Sequence, residues 1–163
     1  MDIEVVIGQT LDVRRQTRIK NAPAIARGIF LSGHDVRKAT EVMLKKSGVH
    51  EAHLLIVFLD GRAMRRLNRQ VLGHDYVTDV ITFDLGSKAS HVSRLTIDGE
   101  IYICPSEAKR NAKVYGESVE REILRYIAHG ILHLLGWDDQ TEAKRCQMRK
   151  KEDDLLDAFC SKL

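Results

Sequence analysis

Residues 129–139 read HGILHLLGWDD. They lie at the end of a helix that the sequence predicts over residues 118–135, and Gly136 then lets the chain leave that helix through a left-handed turn. His129 and His133 are four residues apart, so their rings project from the same helix face, one turn apart. Two imidazole nitrogens placed in this way can bind one metal ion. The segment therefore predicts a metal site at the end of a helix in the C-terminal half of the chain.

The third ligand is expected from the loop after Gly136, which carries Asp138 and Asp139. The two histidines, the glycine and Asp139 give the pattern H-x-x-x-H-x-x-G-x-x-D, which is the spacing of the metzincin metalloproteases with Asp in place of the third histidine. Spacing therefore favours Asp139 as the third ligand beside His129 and His133. Three protein ligands with an open fourth position are typical of a catalytic zinc site. We expect one divalent ion, with zinc favoured, although an aspartate broadens the choice of metal.

The residue after the first histidine separates this site from a zincin protease. Those enzymes place a glutamate there as general base, whereas this chain has Gly130. A zincin-like hydrolase of peptides is therefore disfavoured. Water activated by the metal remains a competent nucleophile, and basic side chains can hold neighbouring phosphates, so phosphodiester hydrolysis suits the pattern better. The motif itself assigns no side chain a catalytic role.

The rest of the chain carries both strand and helix patterns. Runs of apolar or alternating residues predict strands over 3–7, 53–59, 78–85 and 98–104. Apolar residues at helical spacing predict helices over 35–47, 61–71, 106–115, 118–135 and from 141 onward, with Asp35, Asp60, Ser106, Ser118 and Thr141 at their starts. Pro23 could open a further short helix over 24–30, within a segment, 11–34, that is hard to assign. The pattern indicates an α+β domain with about five or six helices.

Length and composition fit one soluble domain spanning 1–163. A chain of this length buries roughly two-thirds of its unfolded surface and needs no staple to fold. Neither a membrane span nor a signal peptide is predicted. The three cysteines are far apart and form no C-x-x-C pair, which argues against a disulfide framework and is typical of a reducing cytoplasm.

Basic residues are clustered although the formal net charge is only +3. One cluster lies near the start of the chain, and a second occupies the helix predicted over 61–71. The second forms a stripe three or four residues apart: Arg62, Arg65, Arg66 and Arg69. The opposite face of that helix should be buried through Ala63, Met64, Leu67 and Val71. Such a stripe can bind phosphates, and a simply solvated helix face explains it equally well.

Three segments resemble the YbeY family of bacterial ribosomal RNA maturation factors, described as single-metal endoribonucleases. HGILHLLGWDD is similar to that family's H-G-x-L-H-L-x-G-Y-D-H signature. LNRQVLGHDYVTDVITFDL, residues 67–85, resembles its second signature, a Leu-Asn pair followed by a T-D-V-L-S-F strand. GEIYIC, residues 99–104, resembles its G-D-I-x-I strand. The segments occur in the family's order, and the likeness covers about residues 50–152.

The resemblance implies a mixed four-stranded sheet with helices and a metal at the edge of a cleft. It also implies cleavage of single-stranded RNA, maturation of the 3′ end of small-subunit ribosomal RNA and ribosome quality control, with the small ribosomal subunit and an assembly GTPase as partners. Two departures bear on this expectation. The family's third histidine falls on Asp139, and an arginine assigned a catalytic role in the family falls on Leu72. A non-catalytic, metal-stabilised ribosome assembly factor therefore stands as the alternative.

Residues in and beside the second signature are candidates for contacting substrate or supporting the metal site. They are Asn68, His74, Thr78, Asp79, Arg65, Arg66 and Arg69. Among them, Asp79 could orient a metal-binding histidine through its carboxylate, or could only cap the strand and the turn before it. His74 or one of the arginines could supply the polar group that Leu72 does not provide.

Overall fold

The computed structural model describes residues 1–7, 31–86 and 96–160. Four strands are β1 (Asp2–Ile7), β2 (Glu51–Phe58), β3 (Val80–Asp84) and β4 (Thr96–Ile103). The helices in the described part are α1 (Gly33–Lys46), α2 (Gly61–Leu72), α3 (Pro105–Tyr115), α4 (Val119–Leu134) and α5 (Glu142–Cys160). The α+β class is confirmed. The short helix expected over 24–30 lies outside the described residues. None of the helices in the described ranges has the length and hydropathy of a membrane span.

The strands form one mixed sheet in the order β1-β2-β4-β3, which confirms the four strands expected from the resemblance. β1, β2 and β4 are parallel to one another, whereas β3 runs antiparallel to β4. Residues alternate between the two faces of the sheet. Ile56 and Ile101 pack in the larger core with α1, α3, α4 and α5, and Val57 and Tyr102 pack in a smaller core with α2. Helices therefore cover both faces.

Two glycines allow α4 to lie unusually close to β4. A Cβ at Gly130 of α4 would stand 2.7 Å from Cδ1 of Ile101, and one at Gly99 of β4 would stand 2.6 Å from Cδ2 of Leu134. Real Cβ atoms essentially never approach so closely, so each glycine accommodates a branched side chain of the facing element. This packing fixes the height of α4 above the sheet. It also shows that position 130 faces the core, where the glutamate base of a zincin has no room.

Two helix starts differ from the sequence prediction. Ser32, not Asp35, is the N-cap of α1. Asp35 accepts a hydrogen bond from the Ser32 backbone N–H at 2.9 Å, while its own N–H donates to the Ser32 hydroxyl at 3.2 Å, which is a capping box. The prediction placed the cap one turn too late, because either residue type can cap. Helix α3 begins at Pro105 with Cys104 at the N-cap, so Ser106 lies inside the helix.

Two further differences concern residues around α2 and β3. Val71 was expected on the buried face of α2 but is 45% exposed. It continues the stripe of Ala63, Met64 and Leu67, which are buried, so the last turn of α2 extends past the surface on which the helix packs. β3 begins at Val80, two residues later than the 78–85 pattern predicted, and the two residues before it belong to the loop after α2.

Candidate metal centre and its cleft

The side chains of His129, His133 and Asp139 converge at the end of α4. One donor atom from each lies within 4.8 Å of the others. The two Nε2 atoms are 2.9 Å apart, and Oδ2 of Asp139 lies 3.9 Å from Nε2 of His129. The imidazole planes are nearly perpendicular, at 82°. The spacing of the sequence therefore does bring these three groups together, and they could hold one metal ion.

The chain reversal after α4 produces this arrangement. Gly136 has a positive φ of 85°, and its N–H donates to the carbonyl of His133 at 2.9 Å. The N–H of Trp137 donates to the carbonyl of Leu132 at 3.0 Å, which completes a Schellman motif. A residue with a Cβ is strained at such a φ. The expected left-handed turn is confirmed, and it returns Asp139 toward the histidines.

The two consecutive aspartates of the loop have different environments. Asp138 binds the Lys144 ammonium at 2.7 Å and accepts a hydrogen bond from the N–H of Gln140. These hydrogen bonds lower the pKa of Asp138, and the one from Lys144 has the largest effect. Asp139 instead directs Oδ2 toward His129. The geometry thus agrees with the spacing argument that favoured Asp139 as the third ligand.

Hydrogen bonds to Nδ1 determine the tautomer of both histidines. Nδ1 of His129 lies 2.8 Å from Oε1 of Glu152, and Nδ1 of His133 lies 3.0 Å from the backbone oxygen of Trp137. Carboxylate and carbonyl oxygens only accept, so we assign the proton to Nδ1 in each ring. When both rings are neutral, each Nε2 presents a lone pair toward the same point, next to a carboxylate. Two neutral imidazoles with one carboxylate form a donor set that fits a divalent ion of the zinc type.

Nearby charges reinforce this preference for a cation. Burial lowers the pKa of His129, but the hydrogen bond and negative charge of Glu152 outweigh it and leave that pKa raised. Burial and the neighbouring His129 lower the pKa of His133. Positive charge is thus stabilised at the centre by Glu152 and Asp139, while His133 favours its neutral form. The same two carboxylates would stabilise a metal ion at this position.

His129 and Asp139 line a cleft of about 430 Å³. Its lining comes from α3, α4, α5, the loop that carries Asp139 and the start of β3. Three arginines contribute to it: Arg125, Arg145 and Arg149. None of them was predicted from the sequence as a site residue. Arg125 lies one turn before His129 on α4, and this i−4 spacing was the available signal.

In the wall of the cleft, buried charges link α4 to α5. Arg125 is 4% exposed and donates to Asp153 at 2.7 Å, with Glu152 at 3.6 Å and Glu122 at 3.8 Å. Burial raises the pKa of Glu122. Glu152, only 5% exposed, joins this cluster to His129. Glu152 was not predicted from the sequence, although an acid four residues after Met148, in the apolar stripe of the last helix, was a visible signal.

The second signature contributes less directly to the centre. Asn68 is buried and its amide donates to the carbonyl of Tyr76 at 3.0 Å, which anchors the loop before β3. Asp79 lines the cleft, but its carboxylate accepts from the Thr78 hydroxyl at 3.1 Å and from the N–H of Val80 at 2.9 Å. The hydrogen bond that orients a histidine therefore comes from Glu152, not from Asp79. These contacts fit the alternative prediction, in which Thr78 and Asp79 cap the strand and the turn before it.

The outward stripe of α2 is exposed, as expected, but does not line the cleft. Arg65 is bound to Asp75 through two hydrogen bonds of 2.9 and 2.8 Å, which neutralise its charge in place. His74 stacks on Tyr76, with ring centroids 5.4 Å apart. Leu72, at the position of the family's arginine, is 53% exposed. Among the described residues, the arginines near the metal centre are thus those of α4 and α5, contrary to the expectation for α2.

Comparisons with known proteins agree with this arrangement. A solved solution structure from Thermotoga maritima superposes with a TM-score of 0.62, covering 98% of this chain and 90% of that chain, at 24% identity. At that identity the likeness concerns the fold alone.

Relatives with closer sequences include proteins named endoribonuclease YbeY. The protein from Chlorobium phaeovibrioides is 39% identical over 121 residues, 74% of this chain and 78% of the relative. The protein from Salinibacter ruber is 37% identical over 131 residues, 78% of this chain and 83% of the relative. The family model described as endoribonuclease YbeY matches residues 31–160, which include the donor set and the whole cleft. This chain therefore belongs to the YbeY family.

Proposed function

We propose that this chain is a zinc-dependent endoribonuclease that cleaves single-stranded regions of ribosomal RNA in the cytoplasm. Its work would be the maturation of the 3′ end of small-subunit ribosomal RNA and ribosome quality control, with the small subunit and an assembly GTPase as partners. The observation that carries the proposal is the convergence of His129, His133 and Asp139 beside a cleft lined by arginines. Relatives named endoribonuclease YbeY support the choice of reaction.

The residues of the centre have separate roles that suit phosphodiester cleavage. A divalent ion supplies electrophilic activation of water and of a phosphoryl oxygen when it is bound there. His129, His133 and Asp139 hold it, and Glu152 keeps Nδ1 of His129 protonated so that Nε2 is free to bind. Two imidazoles and a carboxylate favour zinc among the common divalent ions.

Position 130 favours a phosphodiester over a peptide as substrate. Gly130 packs against Ile101 in the core, so no side chain at that position reaches the metal. A peptidase of the zincin type needs a carboxylate base there. Charge at a cleaving phosphodiester can instead be neutralised by the ion and by guanidinium groups, which Arg145 and Arg149 supply at this cleft.

The test is cleavage of a short single-stranded RNA by the zinc-loaded protein, with a duplex of the same sequence as competitor substrate. We expect cleavage that stops on addition of a chelator and returns with zinc. His133→Ala, purified in parallel, is the control for contaminating nuclease and should be inactive. Cleavage by this variant at the wild-type rate would assign the activity to a contaminant. A zinc-loaded wild-type protein that binds RNA without cleaving it would support a non-catalytic assembly factor instead.

A further inference from the structure

An exposed tyrosine stands at the mouth of the cleft. Tyr115 is the last residue of α3, lines the cleft and is 64% exposed. One turn earlier on the same helix face, the amide of Asn111 donates to the Tyr126 hydroxyl of α4 at 2.8 Å. That hydrogen bond anchors the end of α3 to the metal-binding helix. The ring of Tyr115 is thus carried by a fixed backbone while most of its surface is in contact with water.

Two arginines on α5 line the same cleft and are one turn apart. Arg145 donates to the backbone carbonyls of Asp139 and Gln140 at 3.2 and 3.5 Å, and within the described ranges no carboxylate lies within 4 Å of it. These hydrogen bonds fix its guanidinium next to a metal ligand without neutralising the charge. Arg149 is about half exposed and lies 3.7 Å from Oε2 of Glu152, too far for a hydrogen bond. Both therefore have donors available for an anion.

We propose that Tyr115 stacks on one unpaired base of the RNA and that Arg145 and Arg149 hold the phosphates beside that nucleotide. This inference rests on the proposed ribonuclease function and assigns its substrate subsite. A cleft of about 430 Å³ has the size of a small-molecule pocket and admits one nucleotide. Single-stranded nucleic acids are bound by this combination of an aromatic ring and positive charge.

The charge of the cleft makes the ion part of the subsite. Four carboxylates line it: Asp79, Glu122, Asp139 and Glu152. The three arginines and a divalent ion together outweigh them by one positive charge, whereas without the ion the carboxylates outweigh the arginines. Bound metal therefore strengthens the attraction of the cleft for an RNA phosphate. The ring adds selectivity for strand state, because its face can stack only on a base that is not already stacked between neighbours, as the bases inside a duplex are.

Affinity of zinc-loaded variants for a single-stranded oligoribonucleotide tests the stacking role. Tyr115→Ala should weaken binding roughly 5- to 100-fold. Tyr115→Phe should remain within about threefold of wild type, because stacking needs the ring and not the hydroxyl. Val114→Ala is the matched control, since Val114 is 70% exposed, precedes Tyr115 and does not line the cleft. Zinc content and melting midpoint should be unchanged in all three variants.

An abasic scan places the stacked base on the RNA. A single abasic nucleotide moved along the oligoribonucleotide should weaken wild-type binding at one or two positions. At those positions, an abasic nucleotide should cause no further loss of affinity in Tyr115→Ala, as expected when the base and the ring are partners in one interaction. Arg145→Gln and Arg149→Gln should each reduce the slope of log affinity against log salt by roughly 0.7, with full zinc content.

The outcomes separate this inference from the proposed function. If wild-type protein cleaves RNA but Tyr115→Ala binds as tightly and shows the same abasic profile, the subsite assignment is wrong and the function stands. Wild-type salt slopes in both arginine variants would likewise place the phosphates elsewhere. If the zinc-loaded wild-type protein has no affinity for RNA at low salt, the proposed function fails and the subsite with it.

Discussion

Replacing Glu152 by Gln tests the tautomer argument with a nearly isosteric change. The carboxylate accepts from Nδ1 of His129 at 2.8 Å through Oε1. Its other oxygen faces the guanidinium groups of Arg125 at 3.6 Å and Arg149 at 3.7 Å. A glutamine can keep its oxygen on His129 only by turning its NH₂ toward two guanidinium groups, so that donors face donors. In the flipped orientation the NH₂ meets Nδ1, and His129 must move its proton to Nε2, the atom that should bind the metal.

Both orientations lower metal affinity. Loss of a carboxylate that orients a metal-binding histidine typically costs about 10- to 100-fold in affinity, or about 1.4 to 2.7 kcal/mol. The upper part of this range is expected, because Glu152 is only 5% exposed and water can replace little of its hydrogen bonding. The folded chain should persist, since Asp153 remains 2.7 Å from Arg125 and continues to compensate its charge.

Competition with a chromophoric chelator at fixed pH measures the zinc affinity directly. Asp153→Asn is the matched control, because it removes the same charge from the neighbouring position and touches Arg125 but not His129. We expect zinc affinity within about threefold of wild type for Asp153→Asn, with a lowered melting midpoint. If Glu152→Gln bound zinc as tightly as this control, the hydrogen bond from Glu152 would not be what prepares His129.

Three other outcomes follow from the fold and the charges. The metal-free protein should melt cooperatively at a lower midpoint in calorimetry, because its core does not depend on the ion; an unfolded metal-free chain would indicate a structural site. Gly130→Ala should lower the free energy of unfolding by about 1–3 kcal/mol in urea titration, because its Cβ would meet Ile101; an unchanged stability would mean that α4 shifts freely. Arg62→Gln with Arg66→Gln should flatten the salt dependence of RNA binding by roughly 0.7 for each phosphate that these side chains bind; a wild-type slope would remove α2 from the RNA surface.

The parts of the structure that the sequence predicted correctly depend on short-range rules. The end of α4, its turn at Gly136 and the convergence of His129, His133 and Asp139 lie within 11 residues of sequence. Helical periodicity and the left-handed turn determine their geometry almost alone. The central strand β2 was visible for a similar reason, since its continuous apolar run needs burial on both faces.

The parts that the sequence did not predict depend on packing between distant segments. Glu152 is 23 residues from His129, and only the docking of α5 on α4 brings them together. Tyr115 gave no local signal, because exposure of an aromatic residue is a property of the assembled surface. The prediction that Val71 is buried was wrong, because periodicity gives the face of a helix but not where the surface on which it packs ends.

The proposed metal site explains the buried charges between α4 and α5 better than a contribution to stability does. Replacing a buried ion pair by well-packed apolar residues is often neutral or stabilising, because both charges lose their hydration. Removing one partner alone leaves the other uncompensated, which is strongly unfavourable. Glu152 is needed as a charged acceptor for His129, and once it is buried it requires a cation, which Arg125 provides. Arg125 in turn needs Asp153 and Glu122. Each charge is thus needed to compensate the one before it, and the first of them is needed by His129. The polar interface between α4 and α5 therefore follows from the role proposed for this histidine.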